Sequence, residues 1–238
     1  VLGVAASESV TISVPTTFAQ GVRAAAPVML GYLPIGFAFG VLARTTGLSV
    51  AEVGLMSLLV YAGAAQFIGT GMIGAGMAAP AIISTTFLVN LRHLLLSTAL
   101  VPSLRENAAW ENSLLAYGIT DETFAVNTAI LQGRPATVSY VSGVHIASQS
   151  TWVVASVVGA LAGQMAGNSD ALGLDFALPA MFVGLLMPNL RGEDRKARLA
   201  SALVAAAFAV TALVLFPGNS WAIIVATLVA ATVGVMLP

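Results

Sequence analysis

The sequence predicts an all-α polytopic membrane protein of about seven transmembrane helices, with broken or re-entrant segments and room for an inverted repeat of three-helix units. Three observations predict it. The 238 residues are 58% hydrophobic and only 8% charged, where a soluble domain carries charge on about a quarter of its residues. Mean hydropathy is +0.94. Apolar runs near the 20-residue length of one crossing recur along the chain, and glycine and proline interrupt several of them.

The charge balance excludes other classes. Formal net charge is −1, and the basic residues are scattered except for one cluster, so nothing points to nucleic acid or an acidic partner. Cysteine is absent, which removes disulfides and thiolate metal sites. Residues 1–20 read as a polar Ser/Thr-rich arm with no basic region before an apolar core, so no secretory signal is expected. Residues 21–238 read as a single transmembrane domain.

In chain order, spans are expected near 22–43, 51–74, 79–101, 136–163, 174–190, 198–216 and 219–237. The stretch 112–132 is apolar at both ends but carries Asp121 and Glu122 in its middle, where each charge costs roughly 2.5–3.5 kcal/mol on insertion scales. It reads as a re-entrant or partial helix. The loop 190–199, "LRGEDRKARL", holds four of the nine basic residues and is expected in the cytoplasm. With seven crossings Arg44, Arg105 and Arg134 fall on that same side and only Arg23 lies outside. "GVLARTTGLS" and "GALAGQMAGNS" each close a long span before a Pro/Gly-interrupted one, which would relate spans one to three with four to six as inverted units.

The first span contains "GYLPIGFAFG", where Pro34 removes a backbone donor among Gly31, Gly36 and Gly40. The second contains "YAGAAQFIGTGMIGAG", with five glycines and one glutamine in a run otherwise fit for lipid. One reading is close helix packing, shared with the pairs Gly36/Gly40, Gly159/Gly163 and Gly163/Gly167, one such face being reserved for a hydrophobic partner. The other is a helix break beyond Gln66, near Tyr61 and Gly63, whose free backbone groups would face protein or a wet cavity.

The third span, "APAIISTTFLVNLRHLLLSTALVP", places Asn90, Arg92 and His93 near its centre. Thr86, Asn90, His93 and Ser97 share one helix face. Arg92 points about 100° away from His93 and either snorkels to the interface or meets an internal carboxylate, Asp121 or Glu122. The fourth span carries a second stripe, Ser142, His145, Gln149, Trp152 and Ser156, on which His145 reads first as a hydrogen-bonded packing residue. Neither histidine has neighbours at metal-ligand spacing. No nucleophile elbow, HExxH or phosphate loop is present, so the chain is not read as an enzyme, and no cofactor or metal is expected. Paired carboxylates at membrane depth repel each other and lose water, which makes Asp121 and Glu122 the first candidates for proton exchange, with His93 next. The competing reading is a solvated helix start after an N-cap at Thr120.

Three stretches, "AAPVMLGYLPIGFAFGVLARTTGLSVAEVGLMSLLVYAGAAQF", "NLRHLLLSTALVP" and "YGITDETFAV", together resemble the AzlC family, the large subunit of bacterial branched-chain amino acid exporters. The likeness covers most of residues 20–195. It implies a multi-pass protein of the bacterial plasma (inner) membrane that exports valine, leucine, isoleucine and sometimes methionine, driven by protons, with a small hydrophobic AzlD-type subunit. The family pattern often has Pro-Phe-Gly where this chain has Pro34, Ile35 and Gly36. A zwitterionic aliphatic substrate needs an anion site, a cation site and an apolar pocket, which broken helix ends can partly supply. Pro34, Gly36, Phe37, Tyr61, Gly63, Gln66, Asn90 and Arg92 are the candidate substrate residues, with Phe67 beside Phe37 and Tyr61 in the apolar pocket. A passive channel or structural membrane subunit is the alternative, and an intramembrane enzyme a distant third.

Overall fold

A computed structural model describes residues 14–166 and a few positions between 199 and 232. The regular structure of the described residues is all helix, with no strand among them. Nine helices run between Phe18 and Ala166: α1 (Phe18–Ala24), α2 (Ala26–Thr45), α3 (Val50–Leu59), α4 (Gly63–Gly74), α5 (Ala79–Asn90), α6 (Arg92–Leu104), α7 (Ala109–Tyr117), α8 (Asp121–Leu131) and α9 (Val138–Ala166). The expected spans at 174–190, 198–216 and 219–237, the loop 190–199 and the end of the second repeat half lie outside the continuously described residues.

Among the described residues, three stretches are long and apolar enough to cross a membrane: Ala26–Thr45, Ala79–Leu104 and Val138–Met165. They coincide with the first, third and fourth expected spans. Local sequence sets the helix ends. Thr17 and Ser49 each accept from the N3 backbone N–H, and Gln20 and Glu52 reach back to the cap, closing two capping boxes. Gly47, at φ 103°, turns the chain between α2 and α3, a conformation that glycine enters without a Cβ penalty.

The second expected span is two helices, α3 and α4, separated at 60–62. The break therefore precedes Gln66 instead of following it. Tyr61 has φ 42°, which costs an L residue roughly 1–2 kcal/mol, and its ring is buried. The glycines beyond Gln66 stay helical through Gly74, and Gly69 among them serves packing. A Cβ on Gly69 would already touch Thr86 Cγ2 of α5 at 3.4 Å, so the bare backbone lets α4 lie close on its neighbour.

The stretch 112–132 is also two helices. α7 and α8 have 9 and 11 residues, about 14–17 Å each, against a hydrocarbon core of about 30 Å. Gln132 at φ 50° and Gly133 at φ 75° then turn the chain toward α9.

The described residues divide into two compact units, one lying within Val1–Tyr32 and Arg92–Trp152 and the other within Leu33–Leu91 and Val153–Pro238. In the first, Leu100, Leu104, Leu115, Ile119, Leu131, Tyr140 and Val144 form the buried core. Gly21 of α1 and Gly143 of α9 bring those helices into backbone contact there. In the second, Gly40 of α2 lies against the Ser156 carbonyl, Gly159 against the Phe37 carbonyl, and Gly163 within 3.2 Å of Val41 Cα as a Cβ would sit. Gly40, Gly159 and Gly163 thus serve packing between α2 and α9 within the chain, so of the two positions offered for a partner Gly163 is already covered.

Candidate functional site

The first unit holds the charged candidates. Arg92 opens α6 immediately after the turn at Leu91, whose N–H is shared between the Phe87 and Leu88 carbonyls at 3.1 and 3.3 Å. Arg92 Nη1 lies 2.8 Å from Asp121 Oδ2, with the two side chains 31% and 27% exposed. Of the two fates open to Arg92, an internal carboxylate replaces snorkelling. The pair joins α6 to α8.

Asp121 and Glu122 sit in the first turn of α8, where the helix dipole favours negative charge. Thr120 caps that helix: its Oγ1 accepts from the Thr123 N–H at 3.3 Å, while Thr123 Oγ1 accepts from the Thr120 N–H at 2.8 Å. The capping geometry and the ion pair coexist, because the cap uses Thr120 and leaves both carboxylates to turn elsewhere. Glu122 meets α2. The Tyr32 hydroxyl donates to Glu122 Oε2 at 2.8 Å and lies 2.8 Å from Thr120 Oγ1. The Tyr32 ring packs edge-on against Trp152, centroids 5.1 Å apart. Tyr32 was not singled out by its sequence pattern, although it stands in the quoted "GYLPIG" stretch; no periodicity links it to residues some 90 positions away.

His93 is half-buried on α6. His145 is buried, its Nε2 3.3 Å from Asn127 Nδ2, and the bare backbone of Gly118 makes room for its ring. Asn127 is fully buried, so this contact ties α8 to α9 as the packing reading of His145 expects. Further along the α9 stripe, Gln149 donates to the Tyr117 hydroxyl at 3.0 Å. A cleft of about 400 Å³ opens between α6 and α7, lined by Ser97, Thr98, Val101, Arg105, Asn112 and Ser113 among others.

The second unit holds Pro34, Gly36, Phe37, Tyr61, Gly63, Gln66 and Asn90. Pro34 lies inside α2, where it withholds an N–H from the carbonyl one turn earlier. Pro34 and Phe37 face outward, Phe37 at 36% exposure, whereas Gly36 is buried. Tyr61, Gln66 and Phe67 are buried around the start of α4. The Gln66 amide donates to Ser57 Oγ across the break at 3.2 Å. Phe67 packs edge-on against Phe39 at 5.4 Å, so Phe39 and Ser57 join the residues that spacing alone missed. Asn90 is half-buried at the end of α5.

Residues 27–166 match the family described as AzlC protein. A membrane protein of Archaeoglobus fulgidus is 34% identical over 200 residues, 83% of this chain and 87% of its own. The inner membrane protein YgaZ of Escherichia coli is 33% identical over 205 residues, 82% of either chain. The branched-chain amino acid transport protein AzlC of Bacillus subtilis is 26% identical over 198 residues, covering 83% of this chain and 76% of its own. No solved structure matches the chain. With a family match over residues 27–166 and relatives aligned over most of its length, the chain belongs to the AzlC family.

Proposed function

We propose that this protein is the large subunit of a secondary transporter that exports branched-chain amino acids, coupled to protons, from a bacterial inner membrane. The substrate class is supported by the Bacillus subtilis relative, whose name is branched-chain amino acid transport protein and which aligns over 83% of this chain. The observation that carries a coupled mechanism is the Arg92–Asp121 ion pair at 2.8 Å, set on the apolar stretch Ala79–Leu104. Charges within an apolar span are costly and mark ion or substrate pathways. A passive pore has no need of groups that take up and release protons.

In this reading the pair of carboxylates at the start of α8 supplies the group that exchanges protons. The break before α4, with Tyr61, Gly63 and Gln66, offers backbone groups for the zwitterion. Phe67 and Tyr61 provide apolar surface. Discrimination among aliphatic side chains is worth only about 1–3 kcal/mol per methylene, so valine, leucine and isoleucine are all expected substrates, with methionine close behind. A small hydrophobic AzlD-type subunit completes the complex, and loop 190–199 lies in the cytoplasm.

Proteoliposomes with the chain, alone and with a co-expressed partner, test the proposal. Radiolabelled leucine should show saturable counterflow at equal pH and net movement when a pH gradient is imposed. Flux that is linear in concentration, without counterflow, would identify a pore and reject the carrier.

A further inference from the structure

We infer that the two adjacent carboxylates divide their work: Asp121 is the standing counter-ion of Arg92, and Glu122, positioned by Tyr32, is the group that binds and releases the transported proton. The inference rests on the proton-coupled reading above and assigns its parts.

Asp121 is committed. Its Oδ2 lies 2.8 Å from Arg92 Nη1, and protonating it would leave a guanidinium without its counter-charge in a poorly hydrated place, the costly half of breaking such a pair. Glu122 has no cation among the described residues. It meets a neutral hydroxyl, Tyr32, at 2.8 Å. A hydroxyl suits both states of a carboxyl because it can donate or accept.

Hydroxyls continue from there. Tyr32 Oη is 2.8 Å from Thr120 Oγ1, with either atom able to donate. Thr120 Oγ1 is 3.4 Å from Thr123 Oγ1, and Thr123 donates to the Gly118 carbonyl at 3.0 Å. With Glu122 charged, Tyr32 donates to Oε2 and accepts from Thr120. When one proton arrives from water on Glu122, the new acid O–H donates to Tyr32. Tyr32 then turns its own O–H to Thr120 Oγ1, and Thr120 turns toward Thr123. One proton is gained, one negative charge is removed, and every hydroxyl keeps a partner. Release reverses the sequence.

Tyr32 can hold this register because its ring is braced by Trp152 and its side chain is buried. Around these carboxylates stand Tyr32 of α2 on Glu122, Arg92 of α6 on Asp121, and His93 beside Arg92. Of these, only Tyr32 makes a hydrogen bond to Glu122 among the described residues. The order differs from what adjacency in sequence suggests, since it makes Glu122 and not Asp121 the proton carrier.

The test uses the full chain with any partner that co-purifies, read in two independent ways. In detergent, infrared difference spectra against pH follow the C=O stretch of a protonated carboxylic acid. In proteoliposomes, leucine counterflow at equal pH is compared with flux driven by a pH gradient. Glu122→Gln should lose the titrating band and lower gradient-driven flux by about ten-fold or more while counterflow persists. Tyr32→Phe should keep the band but move it to higher frequency and displace the pH profile of flux, which a merely structural tyrosine would not do. Asp121→Asn should keep the band and lower both transport modes together. Should Asp121→Asn fail to fold, the double variant Asp121→Asn with Arg92→Gln removes both charges of the pair and should still show the band. A band lost in the Asp121 variants and kept in Glu122→Gln overturns the assignment, as does Tyr32→Phe with band and pH profile unchanged. A wild type that shows the expected band pattern yet moves no leucine upholds the assignment and refutes the branched-chain substrate instead.

Discussion

Adding one methyl group at Gly159 should separate two helices. In the second unit an ideal Cβ at Gly159 would run into the Phe37 carbonyl oxygen and stand 2.8 Å from Phe37 C and 2.9 Å from Phe37 Cα, where ordinary contact begins at 3.4 Å. All three atoms are backbone, so no side chain can swing aside, and the Phe37 oxygen, the nearest of them, requires α2 and α9 to part locally by roughly 1 Å. Overpacking of this kind costs about 1–3 kcal/mol, and an unyielding backbone puts Gly159→Ala at the upper end. Alanine returns about 0.5–1 kcal/mol through helix propensity, leaving a net loss of about 2 kcal/mol. Gly31, also within α2, is the control: nothing lies within 4 Å of its Cβ position, so Gly31→Ala should be neutral or slightly stabilising. Gly40 meets the same pair of helices, with Ala160 N at 2.7 Å. Gly40→Ala and Gly159→Ala should therefore cost less together than the sum of the two, since one separation relieves both clashes. Reversible unfolding in mixed micelles, titrated with a denaturing detergent, measures all four variants. Equal midpoints for Gly159→Ala and Gly31→Ala would refute the close-packed α2–α9 contact.

Three further outcomes are expected. The chain lacks cysteine, so single cysteines report topology directly: Arg105→Cys and Arg134→Cys should label from the cytoplasm with an impermeant maleimide and Asn168→Cys from outside, while labelling of Arg105→Cys from outside would reverse the assigned orientation. Ser103 is a poor probe because it is buried. Ser57→Ala removes an acceptor of the buried Gln66 amide and should lower stability by about 1 kcal/mol; an unfolding midpoint equal to wild type would show that this bond across the helix break contributes nothing. Thr120→Ala should lower stability by about 1 kcal/mol through loss of the cap and should also shift the pH profile of transport, because the same hydroxyl meets Tyr32; Thr120→Ser should restore both.

The parts of the site legible in the sequence were those that depend on local chemistry. An arginine and two carboxylates in apolar surroundings need partners wherever the chain takes them, so a pairing of Arg92 with Asp121 or Glu122 could be anticipated. The N-cap at Thr120 follows from three residues of sequence. The choice between the two carboxylates could not be anticipated, because successive residues on a helix point about 100° apart and only the placement of α8 decides which one meets Arg92 and which meets Tyr32. The break in the second span was legible as an event but misplaced. Glycines lower helix propensity in water, yet in an apolar packed setting a glycine face such as Gly69 is held helical by the neighbour it lets approach.

Sequence alone determined the class of this protein: with 58% hydrophobic residues and 8% charged, backbone polar groups in lipid can be satisfied only within helices or closed barrels, and apolar runs of about 20 residues have the length of helical crossings, not of barrel strands. It also determined which side chains would be out of place there. The tertiary structure decided where the helices break and which distant residues meet. Tyr61 adopts φ 42° because its surroundings bury and hold it, Gly40 and Gly159 pack α2 against α9, and Tyr32 reaches Glu122 across 90 positions of chain. Those outcomes depend on the rotation of each helix about its own axis, which is set by packing against neighbours and leaves no trace in the periodicity of any single segment.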